Sequence, residues 1–65
     1  MIKVNVSVMV EPTDEWLRNF NLFFNTLRQL NWVNSNGEII VSSENNFEDI
    51  FSIARENDIR LIIHS

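Results

Sequence analysis

Hydrophobic and polar residues alternate along the first ten positions of the chain. Between residues 2 and 10 every even position is a β-branched apolar residue, whereas Lys3, Asn5 and Ser7 occupy odd positions and only Met9 breaks the rule. Alternation with a period of two is typical of a strand that packs one face on a core. The strand is long for so short a chain, and we therefore expect it to run through the interior of a sheet.

A helical pattern follows this strand. Thr13 is placed to cap the helix, and Asp14 and Glu15 lie where the helix dipole favours negative charge. The apolar residues that follow are spaced three and four positions apart and form one broad stripe: Trp16, Leu17, Phe20, Phe23, Phe24, Leu27 and Leu30. Leu22 lies outside the stripe and is expected to face water. We predict that this helix covers one face of the sheet, with Phe20 in the core.

Residues 31–42 carry a hairpin signal. Asn36-Gly37 is typical of a tight turn, because both residue types tolerate a positive φ. We therefore predict a short strand at 31–34, a turn at 34–37 and a strand at 38–42. The alternative is that 31–37 is a loop, which leaves the sheet with three strands.

A second helix and a last strand complete the pattern. Ser43 is the expected cap of the helix, with Asn45 as the alternative, and Asn57-Asp58 is a natural stop. The buried stripe of this helix is predicted to contain Phe47, Ile50, Phe51 and Ala54, with Ile53 at its edge. In the strand at 59–64, one face is expected to carry Ile59, Leu61 and Ile63, and the other Arg60, Ile62 and His64.

The predicted order is strand, helix, strand, strand, helix, strand. This order corresponds to a ferredoxin-like βαββαβ two-layer sandwich of the α+β class, with both helices on one face of an antiparallel sheet. The alternative is a three-stranded βαβαβ arrangement. We expect the 65 residues to form a single domain, with the first strand between 38–42 and 59–64. An architecture of this kind implies no particular function.

The charge is negative and unevenly distributed. The net charge is −4, and between Glu38 and Asp58 six acidic residues face Arg55 alone. Direct contact with phosphate backbones needs a basic patch, so we expect no direct nucleic-acid binding. The chain has no cysteine, which fits a reducing compartment, and no apolar run approaches the ~18 residues of a membrane span. We therefore expect a cytoplasmic protein without membrane contact.

Residue patterns that indicate catalysis are missing. The single glycine rules out a glycine-rich phosphate loop, and His64 is the only histidine. The adjacent acids Asp14-Glu15 and Glu48-Asp49 point in different directions on a helix, unlike a catalytic carboxylate pair. We expect no catalytic residue, no metal site and no cofactor, and hence no enzymatic activity.

Two surfaces are candidates for protein binding. The first is the acidic side of the second helix, with Glu44, Glu48, Asp49, Glu56 and Asp58. The second is the open face of the sheet, with Met9, Ile40 and Ile62. The first surface indicates a small acidic regulator or inhibitor that binds a protein with a basic surface. Its most specific form is a phage anti-defence protein that blocks a nucleic-acid-binding host protein. The second surface indicates instead a homo-oligomeric interaction domain, such as a homodimer.

Overall fold

The computed structural model describes residues 5–64, and within them the chain forms two helices and one two-stranded antiparallel sheet. The elements follow one another as β1 (Asn5–Val8), α1 (Asp14–Gln29), α2 (Phe47–Glu56) and β2 (Leu61–His64). Both predicted helices are confirmed, and so are the first and last predicted strands within the described residues. The predicted strand positions Ile2, Lys3 and Val4 lie outside those residues.

The strands β1 and β2 pair in the expected antiparallel sense. Val6 lies opposite Ile63 and Val8 opposite Leu61. The Met9 amide donates to the Arg60 carbonyl at 2.9 Å, which extends the pairing by one step beyond β1. Residues directly opposite each other share a face of the sheet, and the face with Val8 and Leu61 packs against the core.

The ferredoxin-like prediction is wrong, and so is its three-stranded alternative. In the described part of the chain the sheet has only two strands, so β1 is not an interior strand. The predicted turn at 34–37 is present, with the Gly37 amide donating to the Asn34 carbonyl at 3.0 Å and Gly37 at a φ of 78°. Beyond this turn, however, the predicted hairpin is reduced to one isolated bridge between Val33 and Ile39. Two backbone hydrogen bonds flank the bridge, from the Asn34 amide to the Glu38 carbonyl at 2.9 Å and from the Ile40 amide to the Trp32 carbonyl at 2.8 Å.

A buried asparagine and the end of α1 together limit strand pairing at 38–42: the Trp32 amide, which would face the Ile40 carbonyl, donates to Leu27 instead. The Asn45 side chain is only 3% exposed. Its amide nitrogen donates to the Ile40 carbonyl at 2.9 Å, and its oxygen accepts from the Ser42 amide at 2.8 Å. These backbone groups are ones that a sheet ladder would use, and a side chain that occupies them competes with strand pairing.

Helix α1 begins as the sequence predicts. Thr13 is its N-cap, and the Thr13 hydroxyl accepts from the Trp16 amide at 3.0 Å. Along the helix, Trp16 stacks on Phe20 at a ring distance of 5.1 Å, Phe20 stacks on Phe24 at 5.5 Å, and the Arg28 guanidinium lies 4.9 Å from the Phe24 ring centre. A row of residues spaced by four is inclined to the helix axis, so this row passes from buried Trp16 to exposed Arg28.

Helix α2 begins at a different cap from the two that were predicted. Asn46 caps it, with its side-chain oxygen accepting from the Asp49 amide at 3.0 Å. The Asp49 carboxylate in turn accepts from the Asn46 amide at 3.3 Å, which completes a capping box. Ser43 and Asn45 are therefore not the N-cap, because this reciprocal pair satisfies two amides of the first turn at once.

Both helices end in the same motif. The residue after each C-cap, Asn31 in α1 and Asp58 in α2, has a positive φ of 61° and 56° respectively. The Trp32 amide then donates to the Leu27 carbonyl at 2.9 Å, and the Ile59 amide to the Ala54 carbonyl at 2.8 Å. This is the Schellman motif, in which a left-handed residue turns the chain back over the last helical turn.

The hydrophobic core contains residues of both helices and of the segment that connects α2 to β2. Its contiguous buried cluster consists of Trp16, Phe23, Leu27, Ala54 and Ile59. Phe20 and Phe51, at the centres of the predicted stripes, are only half-buried, and Leu17 and Leu30 are 53% and 43% exposed. A two-stranded sheet is too narrow to cover so broad a stripe. Leu22 is 59% exposed, as predicted.

Candidate protein-binding site

The predicted acidic residues lie on the surface of α2 and at its two ends. Within the helix, Glu48, Asp49 and Glu56 are exposed and fall within about 100° of arc at 3.6 residues per turn. Ile50 and Ala54, which are buried, lie on the opposite side. The helix of 10 residues is about 15 Å long, so the three carboxylates form a short stripe that points away from the core.

Two further predicted residues flank this stripe. Glu44 precedes the helix and Asp58 follows it, and both are exposed. Hereafter these two residues and the stripe are called the acidic face: Glu44, Glu48, Asp49, Glu56 and Asp58. Asp49 also closes the capping box of α2. Its carboxylate is therefore partly engaged in holding the helix start, whereas Glu48 and Glu56 are available as surface charges.

Asp58 also borders a small cleft that the sequence analysis did not identify. The cleft has a volume of about 80 Å³ and lies where the start of α1 meets the end of α2. It is lined by Glu11, Thr13, Glu15, Trp16, Asn19 and Asp58. Glu11 and Glu15 belong to the helix-start segment, where their charges have a structural explanation, and no spacing rule connects them with Asp58 across 42 or more intervening residues.

Trp16 is the one buried residue among those that line this cleft. Its side chain is 6% exposed and stacked on Phe20. The indole Nε1–H is buried and has no hydrogen-bond partner among residues 5–64. Buried donors are nearly always satisfied in native proteins, and an orphaned one calls for an explanation.

The open face of the sheet is smaller than predicted. Ile62 in β2 and Met9 just after β1 are 40% and 42% exposed. Ile40, in contrast, is half-buried and lies in the segment that Asn45 holds outside the two-stranded sheet. The structure therefore does not place the three predicted residues on one sheet face.

The same face carries one polar cross-strand contact. The Ser7 hydroxyl and the His64 Nε2 are hydrogen-bonded. A serine next to a histidine is a pairing that nucleophilic catalysis uses, but catalysis also requires a third group that orients the histidine and donors for the developing oxyanion. This contact is exposed on a narrow sheet, and we interpret it as a cross-strand pair that ties β1 to β2.

No group of three or more His, Asp or Glu side chains in residues 5–64 is arranged to hold a metal ion. Cofactor and drug-sized ligand pockets have volumes of about 300–1,000 Å³, several times the volume of the cleft. The cleft is the size of the end of one side chain. Neither described helix is long and apolar enough to cross a bilayer.

Comparison with protein-family models, with curated proteins and with solved structures finds no match to this chain.

Proposed function

We propose that this protein is a small acidic regulator that binds a partner protein through the acidic face. The observation that carries the proposal is the exposure of all five carboxylate residues: Glu48, Asp49 and Glu56 lie on the side of α2 away from the core, and Glu44 and Asp58 lie just beyond its two ends. A surface of one charge sign steers a partner of opposite charge and raises the association rate. The partner is accordingly a protein with a basic surface.

The most specific form of the proposal is an inhibitor that occupies the nucleic-acid-binding surface of its partner, as a phage anti-defence protein does. Its support is the small size and the acidity of the chain. The short stripe of α2 spans about 15 Å, over which duplex DNA presents roughly nine charges. The acidic face has fewer charges than that, so it acts by steering and docking and does not imitate a whole duplex. No catalytic step belongs to this proposal, and its setting is the cytoplasm.

The test compares two double variants with the same change in charge. Glu48→Gln/Glu56→Gln removes two of the five charges of the acidic face, keeps a good helix former at both positions and leaves the Asp49 cap intact. Asp14→Asn/Glu38→Gln neutralises two exposed acids elsewhere. Each version is immobilised and used to capture basic proteins from the source cell at low salt.

We expect a basic partner to be captured by the wild type and the control, and to associate with the acidic-face variant several-fold more slowly. The difference should shrink as salt is raised, because the Debye length is only ~8 Å at physiological ionic strength. Equal association rates for the two double variants would show that the acidic face only keeps the protein in solution.

A second candidate function is self-association through the sheet. The observation that favours it is the exposure of Met9 and Ile62, together with the fact that in residues 5–64 each strand has only one neighbour. Strands with an open edge are templates for pairing with another chain. Ile62→Asp should then convert a dimer to a monomer in sedimentation velocity, whereas Leu22→Asp, at an apolar residue that is more exposed and lies on α1, should not.

A further inference from the structure

The turn at 34–37 places an electrophilic carbon next to a backbone nucleophile. The side-chain carbonyl of an asparagine is open to attack by the backbone nitrogen of the next residue, and the attack is least hindered where that residue is glycine, which has no Cβ. The chain has ten asparagines and one glycine, and the glycine directly follows Asn36. Both residues are exposed, and a Cβ built on Gly37 would meet no atom within 4 Å. Water and solvent base therefore reach this peptide bond.

The other asparagines are less suited to the same reaction. Each of them is followed by a residue with a side chain, and the smallest of these following residues is Ser35, after Asn34. The Asn34 side chain is held in place. Its oxygen accepts from the amides of Asn36 and Glu38, both at 2.9 Å, and its nitrogen donates to the Glu38 carboxylate at 3.1 Å. Asn36 is therefore the position at which sequence and structure favour the attack together.

We propose that Asn36-Gly37 is a site of spontaneous modification, in which Asn36 is deamidated through a cyclic imide. The Gly37 nitrogen loses its proton to solvent base and bonds to the Asn36 side-chain carbonyl carbon, and the side-chain nitrogen leaves as ammonia. Water then opens the imide at either carbonyl, which leaves aspartate or isoaspartate at position 36. One water enters, one ammonia leaves, and nothing is oxidised or reduced.

The folded turn controls how often the attack takes place. The Gly37 N–H must be free before its nitrogen reacts, and in the turn it donates to the Asn34 carbonyl at 3.0 Å. The Asn34 side chain fastens the same turn through the amides of Asn36 and Glu38. The reaction therefore requires a local opening of the turn. Such openings of exposed loops need much less free energy than global unfolding, so the folded chain reacts slowly, at a rate that Asn34 sets.

The product differs from the original chain in charge and in backbone length. Either product adds a negative charge two residues before Glu38, in the half of the chain that is already acidic. Isoaspartate also adds a methylene to the backbone inside the turn. The turn closes onto the bridge between Val33 and Ile39, and both of these side chains pack against the core. The modification is thus a one-way change that loosens this contact, and it does not depend on the acidic face.

The experiment follows the full chain in buffer over days to weeks, beside the same chain unfolded in urea. Peptide mapping by mass spectrometry locates the loss of each side-chain amide, and chromatography separates the aspartate and isoaspartate products. Hydrogen exchange at the Gly37 amide is measured on the native chain. Exchange and attack both require the same N–H to leave the Asn34 carbonyl, so exchange protection reports the opening without any substitution.

Three variants complete the design. Asn34→Ala removes the side-chain acceptor that fastens the turn. Asn36→Gln keeps a side-chain amide, but its longer side chain closes a larger ring far more slowly. Asn21→Ala, at an exposed position of α1, is the matched control. Circular dichroism shows whether each variant is folded.

We expect amide loss to be concentrated at Asn36. It should be slower in the folded chain than in urea, by a factor that agrees with the Gly37 exchange protection within a few-fold. Asn34→Ala should speed the loss by about two- to tenfold, the factor that corresponds to one net hydrogen bond. Asn36→Gln should abolish the reaction at this turn, and Asn21→Ala should leave its rate unchanged.

Three results would overturn the proposal. The first is amide loss spread over asparagines that are not followed by glycine. The second is an equal rate in the folded and the unfolded chain although the Gly37 amide is protected. The third is an Asn34→Ala chain in which Gly37 exchanges faster but Asn36 reacts no faster, because the opening of the turn would then not control the reaction.

Discussion

At the residue scale, asparagine carries much of the local structure. The chain contains ten asparagines. Asn31 takes the left-handed position after α1, Asn45 holds two backbone groups before α2, and Asn46 caps that helix. The Asn34 side-chain oxygen accepts from the amides of Asn36 and Glu38, both at 2.9 Å, and so fixes the turn at 34–37. With one glycine in the chain, asparagine serves where the backbone needs a local hydrogen bond or a positive φ.

The two helices end in the same motif, so the effect of a negative charge at a helix C-terminus can be tested in both directions. Asn31 and Asp58 occupy the same position of the same motif, and each helix has an arginine in its last turn, Arg28 or Arg55. Asp58→Asn should raise the free energy of unfolding by about 0.3–1 kcal/mol, because it removes a negative charge from a helix C-terminus. Asn31→Asp should lower it by a similar amount.

Urea unfolding followed by tryptophan fluorescence at low salt measures both changes, and both should diminish at high salt. If the two substitutions change stability in the same direction, charge at the helix end does not explain the effect.

At the scale of elements, the segment before α2 decides how many strands the sheet has. Residues 38–42 are apolar and β-branched enough to form a strand. Asn45 nevertheless takes up the Ile40 carbonyl and the Ser42 amide. Pairing of this segment with residues 32–34 is therefore limited to the bridge between Val33 and Ile39 and the two backbone hydrogen bonds that flank it.

We expect the loss of these Asn45 hydrogen bonds to lower the free energy of unfolding. Asn45→Ala leaves the Ile40 carbonyl and the Ser42 amide without these partners, and an unsatisfied buried polar group costs about 1–3 kcal/mol. Asn45→Asp keeps the acceptor for Ser42 but loses the donor for Ile40, and it should also destabilise. Thermal unfolding by circular dichroism measures the loss. Asn21→Ala, at an exposed position of α1, is the control and should not lower the melting temperature.

At the scale of the whole molecule, two helices pack over a sheet that is narrower than they are. Trp16, Phe23 and Leu27 of α1 meet Ala54 of α2 and Ile59 in one cluster, while Leu17 and Leu30 stay exposed. A domain of this size buries only ~60% of the surface that its unfolded chain exposes. With a narrow sheet the chain has a small core, and single contacts such as those of Asn45 become a large part of its stability.

Amide exchange tests the two-stranded sheet directly. The Met9 amide bonds to Arg60, and bonding residues alternate along an antiparallel pair, so the Ser7 and Ile62 amides face the partner strand as well. We expect slow exchange at Ser7, Met9 and Ile62 and fast exchange at Val6 and Val8. An interior strand would bond on both sides, so protection of Val6 and Val8 would contradict the two-stranded sheet.

The sequence by itself determined the local elements. Period-two alternation identified β1 and β2, apolar spacing identified both helices, and Thr13, the turn at 34–37 and the Asn57-Asp58 stop were predicted from residue type. These features depend on interactions within a few residues, which local patterns encode. The position of the acidic residues on the surface of α2 follows from the same periodicity.

Only the tertiary structure decided the number of strands, the core and the cleft. At 38–42 the Asn45 side chain takes backbone groups that strand pairing would use, and strand propensity does not reveal this. The width of the sheet decided which members of each apolar stripe are buried. The cleft brings Glu11 and Glu15 to Asp58 from opposite ends of the sequence, and such proximity is a property of packing that no spacing along the chain encodes.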